Sequence, residues 1–472
     1  MKKLLFVILF SLTVVAQQSP ETSTPASSQT TAKPIPQSLS DSLTAVKSAA
    51  LTGDARAEAI LGAAYVKGIG VRQDYAEALA WERKSADQGN ALGENDLGEL
   101  YLHGWGVSKD YAMARTWFQK AADQGLARAE AALGELYVKG LGVPKDYIGA
   151  LVWLRKAAAQ GDATGEADLG ALYLDGRGVT QDFAKALVWF QKAADQGNAT
   201  AEDNVGTIYM FGFGVAKDYR QALVWFQKAA DQGNASSEAS LGRLYLNGWG
   251  VPKDPSQALA WFRKAADQGD AGAEGNIAFL YLNGWGVPKD PSQALAWFRK
   301  AADQGDPNAE DSVGQLYLNG QGVPKDFPQA LAWFRKAAAQ GNIPAENHLG
   351  MMYQNGLGVQ QDYAKALALY QKTADRGDAF GEAALGNFYL QGLGVAKDLT
   401  RARALLEKSA AQGEVAAENN LGWMYQNGVG VQQDNAQAIA WYQKSAAQGD
   451  STAKERLAAL NQQTAAGGKQ NR

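Results

Sequence analysis

Apolar residues recur along this chain at helical spacing, in pairs of short segments separated by a glycine turn. In the segment 125–160, Ala129, Leu133 and Leu136 fall on one face of a first helix, and Leu151 and Leu154 fall on one face of a second. The turn between them, VKGLGV, contains two glycines. The pattern therefore predicts a helix–turn–helix unit.

This unit repeats every 36 residues with no insertion or deletion. The stretch YLNGWGVPKDPSQALAWFRKAADQGD even occurs twice, at 245–270 and at 281–306. A chemical site is normally assembled once from unlike residues, so an identical copy one period later indicates stacked structural units. One tyrosine marks the same position in each of eleven units: Tyr65, Tyr101, Tyr137, Tyr173, Tyr209, Tyr245, Tyr281, Tyr317, Tyr353, Tyr389 and Tyr425.

Recurrent small and charged residues have predicted structural roles. Asp146 is expected to cap the second helix of its unit. Gly134 lies inside a first helix, where glycine costs about 1 kcal/mol relative to alanine and therefore needs a packing reason. A Glu in every first helix and a Lys in every second helix also recur. Because Lys84 and Glu94 flank one turn at equal distances, we expect Lys–Glu ion pairs between those two helices.

The ends of the chain differ from the repeats. Residues 1–16 resemble a signal peptide, with two lysines, an apolar run too short to span a membrane, and a small-residue cleavage site at Ala16. Residues 17–40 are rich in Ser, Thr, Pro and Gln and are expected to form a disordered leader. We expect a solenoid at 41–463, with eleven repeats at about 53–448 and half-repeat capping helices at both ends, and a disordered tail at 464–472.

Charge and cysteine content narrow the function classes. The 45 basic and 49 acidic residues give a formal charge of -4, and no basic surface for nucleic acid is evident. No cysteine is present, so no disulfide can stabilise an exported protein of this sequence. We expect a periplasmic or secreted protein that has no membrane span after cleavage.

The repeated pattern AxxxLGxLYxxGxGVxxDxxxAxxWFxKAAxQG resembles the Sel-one-like repeat (SLR) family, which is related to tetratricopeptide repeats. The resemblance covers about residues 42–463. It implies an all-α fold, a right-handed αα-solenoid, whose members act mostly as adaptors and scaffolds and, in bacteria, often as exported proteins. Some exported, disulfide-containing members have been associated with β-lactam binding, so a β-lactam-binding or hydrolytic enzyme is a remote alternative.

Few residues suggest catalysis or metal binding. The two histidines, His103 and His348, lie nearly seven periods apart and cannot share a metal in a solenoid. We expect both to be surface residues. The GxG turns lack the strand and the lysine of a phosphate-binding loop. We predict a non-enzymatic protein without a cofactor or metal.

Positions that vary between repeats are candidates for partner binding. On the first helices, the residues two and nine positions before each repeat tyrosine share a face that should be concave by analogy with related solenoids. Its early part is charged and its later part is aromatic, which suits a partner protein or peptide. The alternative is that scattered surface aromatics reflect drift or local packing. The proposed partner-binding residues are Glu99, Arg128, Glu135, Arg243, Phe279, Met351, Phe380 and Trp423.

A second variable position lies between the two turn glycines. An apolar residue in most repeats indicates packing of the loop against a neighbouring unit, whereas exposed rings could stack on the sugars of an envelope polysaccharide or of peptidoglycan. The candidate glycan-binding residues are Trp105, Phe213, Trp249 and Trp285. By contrast, we expect core positions for the nine tryptophans that recur in the second helices, from Trp81 to Trp441.

Overall fold

The computed structural model describes residues 37–470, with side chains for 43–462. The expected signal peptide at 1–16 and most of the expected leader lie outside the described residues. Within them every regular element is an α-helix. The helices are α1 Gln37–Leu51, α2 Ala55–Lys67, α3 Tyr75–Asp87, α4 Ala91–His103, α5 Tyr111–Asp123, α6 Ala127–Lys139, α7 Tyr147–Ala159, α8 Ala163–Asp175, α9 Phe183–Asp195, α10 Ala199–Phe211, α11 Tyr219–Asp231, α12 Ala235–Asn247, α13 Pro255–Asp267, α14 Ala271–Asn283, α15 Pro291–Asp303, α16 Pro307–Asn319, α17 Phe327–Ala339, α18 Ile343–Asn355, α19 Tyr363–Asp375, α20 Ala379–Gln391, α21 Leu399–Ala411, α22 Val415–Asn427, α23 Asn435–Ala447 and α24 Ser451–Gln470.

Each repeat contributes one even-numbered first helix and one odd-numbered second helix, from the α2–α3 pair to the α22–α23 pair. The fold is the predicted all-α solenoid of 36-residue repeats. Helices α1 and α24 flank the repeats at the two ends of the chain. Helix α1 begins inside the segment expected to be a leader, and α24 continues through most of the segment expected to be a tail. The described residues form two compact units, 37–265 and 266–470.

Helix ends follow the sequence signals. The Asp74 side chain accepts hydrogen bonds from the backbone N–H groups of Ala76 and Glu77 at the start of α3. Gly68 ends α2 with a φ of 68°, a left-handed conformation that residues with a side chain rarely adopt. Equivalent Asp caps and glycine ends recur along the repeats. These local signals set the strict 13-residue helix length.

The glycine inside each first helix makes room for a ring on the second helix of the same repeat. A Cβ placed on Gly98 would lie 2.7 Å from the Phe118 ring, and one on Gly206 would lie 2.7 Å from Phe226. These rings are fully buried between paired helices. Close contact between the ring and the backbone of the first helix therefore explains why glycine occupies this position.

We expect Gly242→Ala to lower the free energy of unfolding by about 1–2 kcal/mol, because overpacking costs more than the helix propensity that alanine gains. A Cβ at Gly242 would lie 2.6 Å from the Phe262 ring. Gly275 is the matched control, because a Cβ there meets nothing within 4 Å. Chemical denaturation should show Gly275→Ala stabilising the protein by about 0.5–1 kcal/mol. Equal effects of the two changes would contradict the packing role.

The recurrent glutamates are buried, and most of them receive a hydrogen bond from a glutamine of their own repeat. Gln124 Nε2 donates to Glu94 Oε2 at 2.7 Å, and Gln160 Nε2 donates to Glu130 Oε2 at 2.8 Å. Burial raises the pKa of Glu94, and the Gln124 hydrogen bond and the Lys120 charge oppose that rise. Each glutamate is therefore held between the two helices of one repeat.

Lys–Glu ion pairs form between helices, but each joins a lysine to the glutamate of its own repeat and not to that of the next repeat. Lys336 Nζ lies 3.0 Å from Glu310 Oε1 and Lys372 Nζ lies 2.7 Å from Glu346 Oε1, so each lysine pairs with the glutamate 26 residues before it. The prediction that Lys84 pairs with Glu94 is wrong: the Lys84 ammonium lies 4.0 Å from the Trp81 ring centroid. Within one repeat, the ring of the second helix packs on the glycine of the first helix, as Phe334 packs on Gly314. This contact brings Lys336 close to Glu310 of the same repeat.

The recurrent tryptophans are mostly half-buried, which differs from the expected core position. Trp81 is buried, but Trp117 and its equivalents in the later repeats are only partly covered. The next residue along the helix, such as Phe118, occupies the core instead. Lys120 Nζ lies 3.9 Å from the Trp117 ring centroid and covers the outer ring face. The tryptophans therefore combine packing with cation–π contacts.

Candidate binding face

Four positions of each first helix, spaced by four, three and four residues, lie on one side of that helix. They are nine, five and two residues before the repeat tyrosine and two residues after it. We call these positions the first-helix face. In α18 they are Pro344, His348, Met351 and Asn355.

In unit 266–470 the first-helix face forms an open pocket of about 210 Å³ between α18, α20 and α22. Met351 and Phe380, both predicted from sequence variation, line it together. The Tyr370 ring contacts Phe380 edge-on, with 6.3 Å between ring centroids. The other lining residues are amides and alanines: Gln354, Asn355, Ala383, Ala384, Asn387, Ala416 and Asn420.

Three aromatic side chains of this unit stay exposed on the same face. Phe380 is 44% exposed, Phe279 38% and Trp423 36%. Phe279 contacts Trp285 edge-on at 5.2 Å between ring centroids. Exposed aromatic rings that share one face of a fold are typical of protein-binding surfaces.

Formal charge is missing from the first-helix face of unit 266–470. None of the four positions in α14, α16, α18, α20 and α22 is Asp, Glu, Lys or Arg, and His348 is the one ionisable side chain among them. Most of the polar side chains are amides. At these positions the face therefore offers a partner hydrogen bonds and apolar contacts, but no Asp, Glu, Lys or Arg side chain.

The first-helix face of unit 37–265 is charged and contains a larger open pocket of about 400 Å³. Its apolar floor is formed mainly by α1 and α2, with Leu92 from α4. Arg128, a predicted binding residue, reaches its rim and pairs with Asp96 at 3.1 Å. The complete lining is Leu43, Val46, Ala59, Ile60, Ala63, Ala64, Lys67, Ile69, Leu92, Asp96 and Arg128.

The other predicted charged residues of this face are partly covered. Glu99 pairs with His103 at 3.3 Å, and Glu135 pairs with Lys139, in both cases within one helix. Arg243 is half-buried. Exposed pairs four residues apart contribute only about 0.3–0.5 kcal/mol each, so a partner could replace them at low cost.

Acidic residues at the position five before the tyrosine were not singled out from the sequence. Burial raises the pKa of Asp96, and the charge of Arg128 opposes that rise. Burial, together with the negative charge of Glu135, raises the pKa of Asp168 to about 7. The variation of this position between repeats is the signal that could have identified both residues.

Glu82 is the strongest departure from the repeat pattern. It occupies the position at which all other repeats have Phe, Leu or Tyr, and it is fully buried against Gly62. Neither of its carboxyl oxygens has a hydrogen-bond partner. Burial, reinforced by the charge of Asp96, raises the pKa of Glu82 to about 10. Glu82 is therefore a neutral acid at pH 7, and comparison of the repeats position by position could have revealed it.

The loop aromatics stack on the preceding repeat. Trp105 stacks on Tyr75 with 5.5 Å between ring centroids, Phe213 stacks on Phe183 at 5.2 Å, and Trp249 stacks on Tyr219 at 5.2 Å. Trp105 and Phe213 are half-buried, whereas Trp249 and Trp285 remain exposed. The rings thus have a packing role of the kind expected for this loop.

The two histidines differ. His103 is exposed, as expected, and stacks on Trp105. His348 is half-buried rather than a plain surface residue, because its ring stacks on Phe334 and its Nδ1 lies 2.8 Å from Asp311 Oδ1.

Among the described residues, no group of three or more His, Cys, Asp or Glu side chains could hold a metal ion. Within the same part of the chain, no helix combines the length and apolar character that crossing a membrane requires.

Comparison with known proteins identifies the repeat. Two solved structures are similar over most of their own length. One is c5321, a protective antigen present in uropathogenic Escherichia coli strains and displaying an SLR fold: it is 35% identical, the match covers 89% of this chain and 90% of that chain, and the TM-score is 0.68. The other, a Sel1 repeat protein from Oxalobacter formigenes, is 36% identical, with 66% of this chain and 90% of that chain covered and a TM-score of 0.49.

No match is found among curated proteins. The family model of the Sel1 repeat matches eleven consecutive segments: 55–90, 91–126, 127–162, 163–198, 199–234, 235–270, 271–306, 307–342, 343–378, 379–414 and 415–450. These segments have the period and the boundaries of the helix pairs described above. The chain belongs to the Sel1 repeat family.

Proposed function

We propose that this protein is a non-catalytic scaffold that binds a partner protein through its first-helix face. Sel1 repeat proteins generally mediate protein–protein interaction. The observation that carries the proposal is the pocket lined by Met351 and Phe380, with Phe279 and Trp423 exposed on the same face. Aromatic and methionine side chains at a pocket supply much of the binding free energy in protein interfaces.

We also propose that the protein is exported. The supporting observation is the sequence of residues 1–16, which has the basic start, the apolar run and the small-residue cleavage site of a signal peptide. The similar E. coli protein is a protective antigen, which is consistent with a protein that leaves the cytoplasm. The partner would then be a protein of the bacterial envelope or of the surroundings of the cell.

A crosslinking pull-down from native envelope extract tests the scaffold function. The full-length protein is compared with a variant that carries Phe279→Ala, Met351→Ala, Phe380→Ala and Trp423→Ala. We expect the variant to lose a specific protein that the unchanged chain recovers, by at least about tenfold, since two such contacts commonly exceed the 1.4 kcal/mol that a factor of ten requires.

The matched control removes the same number of exposed apolar side chains from second helices, through Ile148→Ala, Val152→Ala, Val188→Ala and Val224→Ala. These four side chains are each at least half exposed. The control variant should recover the partner at the unchanged level. Loss in the control variant and retention in the first variant would move the binding surface to the second helices and overturn the proposal.

A further inference from the structure

The pocket of unit 37–265 has the size and the lining of a small-molecule site. Its volume of about 400 Å³ lies within the range of such sites, about 300–1,000 Å³. Eight of its eleven lining side chains are apolar, and the other three are Lys67, Asp96 and Arg128. None of the lining side chains is an amide or a hydroxyl. The floor therefore offers apolar contact but no side chain that could hydrogen-bond a peptide backbone.

This lining favours an alkyl chain over a peptide as the occupant. The N–H and C=O groups of a buried peptide need hydrogen-bond partners, and each group left without one costs free energy. An alkyl chain has no such groups and gains free energy with every methylene that leaves water. Ile60, which is 44% exposed, and Ile69, which is 46% exposed, offer apolar surface for this contact. The body of the occupant should therefore be a hydrocarbon.

The charged side chains of the pocket favour a negatively charged head group. Lys67 and Arg128 are exposed, whereas Asp96 is half-buried. Arg128 pairs with Asp96 at 3.1 Å, and Lys67 makes no ion pair with any of the described side chains. The pocket thus has two cations and one carboxylate, and the second cation is available to a ligand. Carboxylates form strong charge-assisted hydrogen bonds with both kinds of cation.

The two cations converge on one place in the pocket. Burial raises the pKa of Asp96, and the charges of Arg128 and Lys67 oppose that rise, so both cations act on the same carboxyl group. Burial also keeps the nearby Glu82 neutral at pH 7. Glu82 therefore adds no second negative charge that would repel an anion.

We propose that this pocket binds a medium-chain fatty acid. The alkyl chain lies on the apolar floor formed by α1, α2 and α4, and the carboxylate pairs with Lys67 and Arg128. Arg128 then divides its hydrogen bonds between Asp96 and the ligand. The site takes a small molecule and lies in unit 37–265, so it does not depend on the protein partner proposed for the pocket between Met351 and Phe380.

Isothermal titration calorimetry of the full-length protein tests the site. The probes are dodecanoate and dodecyltrimethylammonium, which have alkyl chains of nearly equal length and opposite charges, each used below its micelle concentration. We expect dodecanoate to bind at least about tenfold more tightly. Equal affinities, or tighter binding of the cation, overturn the proposal. Tighter binding of acetyl-trileucine, which carries one carboxylate on a peptide backbone, also overturns it and would assign the pocket to the carboxyl terminus of a partner protein.

Three substitutions locate the binding. Ile60→Glu should weaken dodecanoate binding about tenfold or more, because it places a carboxylate in the apolar floor. Ile148→Glu is the matched control, since it adds the same charge to a side chain that is 70% exposed on α7 of the same unit, and it should leave the affinity unchanged.

Asp96→Asn should tighten dodecanoate binding about threefold, because it removes the carboxylate that competes with the ligand for Arg128. A site that holds the probe by apolar contact alone would not respond in this way. Unchanged affinity in Ile60→Glu, or binding that Asp96→Asn does not tighten, overturns the proposal. The measurement uses no protein partner, so its outcome is independent of the pull-down.

Discussion

Replacing Glu82 by phenylalanine should stabilise the first repeat by about 3 kcal/mol at pH 7, since this change removes the cost of keeping a buried carboxyl protonated. Glu82 is fully buried, and its carboxyl oxygens have no hydrogen-bond partner. Few single substitutions in natural proteins stabilise by this amount. The effect should therefore be easy to separate from ordinary surface changes.

The surroundings of Glu82 are already shaped for a ring. Glu82 lies on Gly62 in the way that Phe118 lies on Gly98 and Phe190 lies on Gly170. The other ten repeats place an apolar or aromatic side chain here, and each of these side chains is buried: Phe118, Leu154, Phe190, Phe226, Phe262, Phe298, Phe334, Tyr370, Leu406 and Tyr442. Phenylalanine at position 82 should thus fit without moving the helices.

The stabilisation should grow with pH. The pKa of Glu82 is about 10 in the folded protein and 4.5 as its ordinary value, so folding takes up a proton between these two pH values. The contribution of Glu82 to stability is complete below pH 4.5 and is lost as pH rises toward 10. Phenylalanine has no such dependence. Its advantage over glutamate should therefore be smallest near pH 4.5 and larger by several kcal/mol at pH 9.

Hydrogen exchange of the α2 and α3 amides is the suitable measurement, because terminal repeats of a solenoid can open separately from the rest. Glu82→Gln separates the charge from the shape, since it abolishes the pH dependence without supplying the ring. The reciprocal change, Phe118→Glu, should destabilise the next repeat. If the difference in α2 and α3 protection between Glu82→Phe and the unchanged chain is the same at pH 5 and at pH 8, Glu82 has a buried partner or an ordinary pKa.

The sequence was sufficient to predict the repeat and its helices, because signals for helix starts, ends and core faces recur at fixed intervals. Asp146 caps α7 and Gly140 ends α6, as expected from their positions. Strict spacing removes the usual uncertainty about helix boundaries. The face shared by Met351 and Phe380 could be predicted for the same reason, because helical periodicity alone places both side chains on one side of their helices.

Contacts between helices were harder to predict. Lys336 is ten residues from one glutamate and 26 from another, and chain distance alone favours the nearer one. The ring of Phe334 packs on Gly314 and brings Lys336 to Glu310 of its own repeat. Likewise, the stacking of Trp105 on Tyr75 depends on the close approach of Gly106 to the Tyr75 backbone, where a Cβ would lie 2.3 Å from the carbonyl oxygen. Such contacts depend on three-dimensional packing, which periodicity does not specify.

Reversing the charge of Glu130 should lower the free energy of unfolding by about 3–5 kcal/mol, the usual cost of leaving a buried charge without a partner. Glu130 is 4% exposed and accepts a hydrogen bond from Gln160 at 2.8 Å. Burial raises the pKa of Glu130, and the Gln160 hydrogen bond and the charge of Lys156 oppose that rise. Lysine at position 130 would place a second cation beside Lys156 and remove the acceptor that Gln160 uses.

Glu135→Lys is the matched control, because it makes the same charge change five residues along the same helix. Glu135 is half-buried and pairs with Lys139 within α6, so its reversal should cost only about 0.5 kcal/mol. Urea unfolding of the two variants at one pH and salt concentration gives the comparison. Costs within about 1 kcal/mol of each other would mean that the buried glutamates do not stabilise the pairing of helices within a repeat. A large cost at Glu130 alone would show that the buried glutamate and its Gln160 hydrogen bond stabilise the pairing of α6 with α7.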